Sequence, residues 1–301
     1  MQVLVTGAAG FVGSRLVRGL LSAYADIRIV SVDNYFTGTE ANHVDDARVT
    51  YVHDSTVNIA KVWANRGFGK IDAIFHMGEY SRIPQSFDEP DRVWEYNLHG
   101  TKEVVSLAHE HGAKLIYAGS SSKFGNGGED EHLNPYAWTK AKNVEYIRNF
   151  ATWYGLDYVV TYFYNVYGPG QISTGTYATV IGIFETEYAA GEPLTVVAPG
   201  TQTRDFTHID DIVSGILTCY QKGSGDGYLL GFGHERSMIE VAEMFGGEYR
   251  VVASTRRGER VRGQADTSKA RALGWAPTVD LPDYIAQVTR ALDAQRSAAR
   301  P

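Results

Sequence analysis

Short apolar runs and helical repeats take turns along the first half of the chain. Gln2–Thr6 is a compact apolar run that stops at a glycine-rich stretch, after which Val12, Leu16, Val17, Leu20 and Leu21 recur at helical spacing. This predicts strand, turn and helix. A second run, Ile27 to Val32, closes a strand–helix–strand unit. Runs at 49–53, 73–76, 114–118 and 158–163 read as further strands, with amphipathic helices such as 14–23 and 95–111 between them. Alternation of this kind builds an α/β fold around a doubly wound parallel sheet, because every parallel crossover carries a helix back over one face.

The beat is lost after about Asn165. Gly168-Pro169-Gly170, Gly191-Glu192-Pro193 and Ala198-Pro199-Gly200 punctuate shorter elements from there on. We therefore expect a larger domain at 1–165, with 207–232 returning to it. A smaller mixed α/β domain would take 166–206 and 233–297.

Composition narrows the classes. With 301 residues and 44 % apolar content the chain can bury a large core, which excludes disorder. The net charge is −7 and no block of Lys/Arg occurs, so no nucleic-acid partner is expected. A lone cysteine, Cys219 in Ile216-Leu217-Thr218-Cys219-Tyr220, excludes disulfide scaffolds and thiolate metal clusters and reads as a buried core thiol. No eighteen-residue apolar stretch is present, so we expect no membrane association and a cytoplasmic location.

The glycine stretch carries the first chemical signal. Gly7-x-x-Gly10-x-x-Gly13 sits between a strand and a helix, where glycines permit a tight turn and close approach of backbone N–H groups to a pyrophosphate. Asp33 ends the second strand, where a carboxylate can accept both ribose hydroxyls. With no Arg or Lys in Asn34-Tyr35-Phe36-Thr37-Gly38, NAD is favoured over NADP. Asp54, after the third strand, suits the adenine amino group or a loop cap. Asn97 suits the cofactor or a buried amide serving local backbone.

Tyr136 and Lys140 supply the second signal. Four residues apart on a helix, they share one face, and a cation within a few ångströms stabilises a phenolate that water alone would disfavour. Ser120, at the end of the fifth strand, offers a hydroxyl to the same substrate oxygen.

Together with Asn165-Val166-Tyr167-Gly168-Pro169-Gly170, the run 204–211 and Ala265-Asp266-Thr267-Ser268-Lys269-Ala270, these motifs resemble the extended short-chain dehydrogenase/reductase family. Within it, the chain is similar to nucleotide-sugar epimerases of the UDP-galactose 4-epimerase type. The resemblance covers nearly the whole chain and implies a Rossmann domain with a C-terminal substrate domain. It implies Tyr136 as acid/base, Lys140 on the nicotinamide ribose and Ser120 on the reacting oxygen, with NAD held tightly throughout. It also places Phe11, Val12, Ser55, Met77, Gly78, Phe163 and Val166 at the cofactor. Ser86, Ser121, Asn165, Arg204, Arg256 and Glu259 fall to the nucleotide sugar, a UDP-sugar being favoured. Gly263 would leave room for an N-acetyl group. A homodimer through a four-helix bundle follows, built from the helix around 91–111 and the one beginning near Trp138.

Ser121 and Ser122 follow Ser120 where dehydratases carry an Asp-Glu pair, which favours epimerisation; net oxidation or reduction of the sugar remains an alternative. Three places depart from the family pattern. Glu79 and Arg82 replace small residues in 76–86 and read as an ion pair shaping the sugar pocket, or as an extra acid/base. Only fifteen residues separate Ser120 from Tyr136, a shorter excursion than usual. Lys123 would face an acidic sugar or solvent.

Overall fold

The computed structural model describes residues 1–127, 131–253 and 261–298. The first part runs β1 (Gln2–Thr6), α1 (Phe11–Ala23), β2 (Arg28–Asp33), β3 (Val49–His53), α2 (Ile59–Arg66) and β4 (Ala73–His76). One-turn α3 (Ile83–Ser86) precedes α4 (Pro90–Val93), which continues through a π-helical segment, Trp94–His99, into α5 (Gly100–His111). Then come β5 (Lys114–Ser120), α6 (Pro135–Tyr154) and β6 (Tyr158–Phe163). The helix expected over 95–111 is thus longer and carries a wide turn in its middle.

The rest of the chain holds β7 (Val166–Tyr167), α7 (Val180–Ala190), β8 (Leu194–Val197), β9 (Thr203–Asp205), β10 (Thr207–His208) and α8 (Ile209–Lys222). It continues with β11 (Gly225–Leu230), β12 (Glu235–Ser237), α9 (Met238–Met244), β13 (Tyr249–Val252), α10 (Ser268–Ala272) and α11 (Leu281–Ala298).

Seven strands form one parallel sheet in the order β11-β6-β5-β4-β1-β2-β3. Strand order reverses between β1 and β4, and the crossover helices fall on both faces. Ligand crevices of open α/β sheets lie at the carboxyl ends of strands beside such a reversal. Register fixes what is there: Thr6 pairs with His76, Asp33 with His53 and Ser120 with Phe163.

Helix α1 buries Leu16, Val17, Leu20 and Leu21 against the sheet and, across Gly19, meets α8. Each fully buried aliphatic side chain there contributes roughly 1.5–3 kcal/mol relative to exposure. Helix α6 starts at Asn134, whose Oδ1 accepts the Ala137 N–H at 2.8 Å, with Pro135 behind it. Such a cap contributes about 1 kcal/mol and sets where Tyr136 begins its turn.

The smaller lobe has a separate core of Tyr167, Phe184, Phe206, Val241, Phe245 and Ile285. Its strands pair only two by two. Two buried carboxylates tie it together. Asp205 accepts the backbone N–H groups of Phe232, Gly233 and Ala265, and Asp211 those of Thr278 and Val279. Cys219, on α8, is buried in the core that α1, α8 and the sheet share, which pushes its thiol up to about 12.

Candidate active site

A cavity of about 670 Å³ follows the carboxyl edge of the sheet from Asp33, past the glycine turn, to Ser120, Tyr136 and Lys140, and on to Arg204 in the smaller lobe. At the glycine end the wall is backbone. Gly7 has φ +65°, and a Cβ there would stand 2.3 Å from the Cα of Gly78, while one on Gly13 would stand 2.1 Å from the Gly7 carbonyl. Only glycine fits either place. The N-cap of α1, Gly10, offers no side-chain acceptor, so the first-turn N–H groups are left for a ligand, and Phe11, Val12 and Gly13 line the cavity beside it. A dinucleotide pyrophosphate has the charge and size for this cradle.

Asp33 ends β2 with Oδ2 on the Ala9 N–H at 2.9 Å and Oδ1 on the Tyr35 N–H at 2.7 Å. Burial pushes its carboxyl up from the usual range, and those N–H groups pull it back. Asp33 lines the cavity, and a carboxylate oxygen can accept more than one hydrogen bond, as two ribose hydroxyls require. The residues therefore fit NAD. Asn34, Met77, Gly78, Phe163 and Val166 also line this stretch.

Not every expected contact is there. Asp54 lines the cavity, yet its Oδ1 accepts from Ser55 N–H and Asn58 Nδ2 at 2.7 and 2.9 Å, the loop-cap alternative. Ser55 lies outside the lining and its Oγ caps Val57. Asn97 also lies outside it: buried in the π-helical segment, it clamps both backbone polar groups of Tyr80 and donates to Thr139 Oγ1 at 2.9 Å. Its place in the fold is the local one. Ser86 is buried too, its Oγ donating to the Ile83 carbonyl at 2.6 Å within α3.

Ser120, Ser121, Tyr136 and Lys140 meet at the other end. Ser120 Oγ shares a hydrogen bond with Ser122 Oγ and accepts the Ser122 N–H at 3.2 Å. The Tyr136 hydroxyl makes no hydrogen bond among the described residues, and Lys140 follows it one turn later on α6, donating to the Ala118 carbonyl at 2.6 Å. The phenol is open to a ligand.

The expected Glu79–Arg82 ion pair does not form. Glu79 turns inward to Lys140, with side chains only 1 % and 5 % exposed, whereas Arg82 donates Nε and Nη2 to the Tyr177 carbonyl at 3.0 and 2.6 Å. The reason is the partners each finds: Glu79 meets donors from Thr101, Tyr117, Asn143 and Lys140, whereas Arg82 meets a backbone carbonyl of the facing loop. Arg82 and Gln85, which donates to the Thr176 carbonyl, clasp the small lobe's loop across the cavity mouth.

Asn165 and Arg204 line the far stretch, and Arg204 Nη1 donates to the Thr203 carbonyl at 2.8 Å. Arg256 and Glu259 lie outside the described residues. Gly263 lies outside the lining, and its carbonyl accepts the Asp205 N–H at 3.0 Å. Lys123 lies outside the cavity lining and is half-buried, its ammonium 5.7 Å from the Phe124 ring and 6.0 Å from that of Tyr162.

Sequence reasoning missed Thr101, Tyr117 and Asn143, which surround Glu79. Asn143 alone left a trace, three residues beyond Lys140 and so on the same helix face.

Comparison with known proteins agrees with this geometry. The profile of the NAD dependent epimerase/dehydratase family matches residues 3–231. A putative UDP-glucose 4-epimerase of Methanocaldococcus jannaschii is 28 % identical over 303 residues, covering 95 % of this chain and 97 % of its own. Among solved structures, a UDP-glucose 4-epimerase of Thermotoga maritima with UDP-glucose matches at TM-score 0.88 and 25 % identity, covering 98 % of this chain and all of that one (100 %). A dTDP-glucose 4,6-dehydratase of Streptomyces venezuelae with NAD bound matches at TM-score 0.87 and 30 % identity, covering 99 % and 98 %.

Proposed function

Because this chain belongs to the NAD-dependent epimerase/dehydratase family, we propose that it epimerises a nucleotide-diphosphate sugar, a UDP-hexose in the first instance, at C4. The observation that carries this reading is the set of groups around Tyr136. Ser121 and Ser122 follow Ser120, and Glu79, the carboxylate lining this end among the described residues, is already bonded to Lys140. Eliminating water from the sugar needs an acid and a base beyond the tyrosine, and none is free among those residues.

The glycine turn and Asp33 would hold NAD, which when bound would supply the hydride acceptor and donor for oxidation and re-reduction. The chain does the rest. Tyr136 takes the proton from the sugar's 4-hydroxyl as C4 is oxidised and gives it back when the 4-keto group is reduced from the other face. Ser120 holds that oxygen within reach, and Lys140 keeps positive charge beside the phenolate. Asn165 and Arg204 grip the diphosphate, a guanidinium fork being suited to two phosphate oxygens.

The same reading carries a homodimer. Val104, Leu107 and Ile147 are buried within the protomer, but Trp153, Tyr154 and Trp94 leave 64, 57 and 46 % of their surface exposed along α6 and the helix before it. A second copy would cover this face.

The test is incubation of the purified protein with UDP-glucose and other UDP-hexoses, with products resolved by chromatography and retained nucleotides by mass spectrometry. We expect interconversion of C4 epimers without net formation of NADH. Stoichiometric NADH would replace the epimerase with a dehydrogenase.

A further inference from the structure

Glu79 takes no part in those steps, yet four side chains converge on it. Its Oε1 accepts from Asn143 Nδ2 at 2.7 Å, Thr101 Oγ1 at 2.9 Å and Tyr117 OH at 3.0 Å, and its Oε2 accepts from the Lys140 ammonium. An amide nitrogen and an ammonium can only donate, so each oxygen meets an obligate donor and the contacts favour the ionised carboxylate paired with Lys140. On balance burial raises the carboxyl above its ordinary value, and Lys140, Thr101 and Tyr117 pull against that rise.

The other titratable groups packed here leave that charge standing. Tyr117, well above its ordinary range, stays a neutral donor. His76 lies behind Thr101, bonded to Thr101 Oγ1 at 3.0 Å and Thr6 Oγ1 at 2.7 Å, and burial holds it neutral. Arg82 faces Tyr136 from the cavity mouth and has no carboxylate partner among the described residues. Lys140 and Glu79 are thus a sealed, charge-neutral pair at the end of the cavity where hydride is transferred.

We propose that Glu79 is a positioning residue for Lys140 whose fixed charge biases the bound cofactor toward its oxidised form. Oxidised nicotinamide is a cation and reduced nicotinamide is neutral. A lone buried ammonium would repel the cation and favour the reduced form; paired with Glu79 it does not, because charges in a dry site act across low dielectric. The reduced cofactor then returns its hydride readily, and the keto intermediate stays brief. This rests on the dinucleotide reading of the cavity.

The experiment offers the protein a mixture of NAD and NADH, removes free nucleotide by gel filtration and measures the bound ratio by chromatography. Wild type should retain mainly NAD. Glu79→Gln, and Glu79→Ala in parallel, should move the bound ratio toward NADH by about tenfold, the equivalent of one pKa unit of charge interaction. Tyr117→Phe, which removes a hydrogen bond but no charge, should hold the wild-type ratio. A folded Glu79→Gln or Glu79→Ala with the wild-type ratio overturns the proposal, and so does a Tyr117→Phe shift of the same size. A wild-type protein that retains neither nucleotide overturns the dinucleotide reading itself.

Discussion

Asp33 and Glu79 are buried carboxylates on one cavity, built from opposite materials. Asp33 is held by backbone N–H groups of its own glycine turn and the next residues, all within the first strand–helix–strand unit. Glu79 is held by side chains from β5, α5 and α6, far apart in sequence. A backbone cradle recurs wherever the turn recurs, whereas a side-chain cage exists only when every member is present. One end is therefore generic to the fold and the other particular to this chain.

The largest expected effect falls at the caged end. Tyr136→Phe should lower turnover by roughly 10²–10⁴-fold, the range for loss of a general acid/base, while leaving nucleotide retention as it was. Wild-type turnover in that variant would remove Tyr136 from the mechanism. At the cradle end, Asp33→Ala should weaken NAD binding by roughly tenfold to a hundredfold, the loss of hydrogen bonds to a charged acceptor. Titration of NAD fluorescence quenching reads this, and equal affinity for both proteins would unseat Asp33 as the ribose acceptor. Gly13→Ala, whose Cβ meets backbone that cannot move aside, should destabilise the fold by about 1–3 kcal/mol in denaturant unfolding. An unchanged midpoint would contradict the close contact.

The smallest effect is a pH slope. Burial pushes His76 down to about 3, while in the unfolded chain it protonates near its ordinary value of about 6.5. Its contribution to stability is complete above that value and is lost as pH falls toward the folded one, because only the unfolded state takes up the proton. His76→Gln should flatten acid unfolding in this window by about one proton. The wild-type slope persisting in the variant would mean that His76 is charged in the fold.

What could be read beforehand follows the same division. Strands, the glycine turn and the helix carrying Tyr136 and Lys140 have local periodicities and spacings, so the sheet and its cofactor edge were legible. The Glu79–Arg82 pair was not. Proximity in sequence made a salt bridge plausible, but only the packing of Thr101, Tyr117 and Asn143 decides that Glu79 turns inward. Asn97 and Ser86 make a related point: both bond local backbone, and only packing decides whether a polar residue near a site does so.

The wide turn at Trp94–His99 bears on how this chain tolerates change in length. Residues 90–111 form one continuous helix, and the π segment lets Asn97 reach Tyr80 while its own carbonyl receives Asn143 Nδ2 at 2.9 Å. Deleting one residue there would restore regular α-helical bonding and so be mild by local criteria. It would also turn everything on one side of the deletion by about 100° relative to the other. Asn97 would leave Tyr80, and the backbone beside Glu79 would lose its brace. Natural variants of this chain should therefore admit substitutions within the segment far more readily than the loss of a residue.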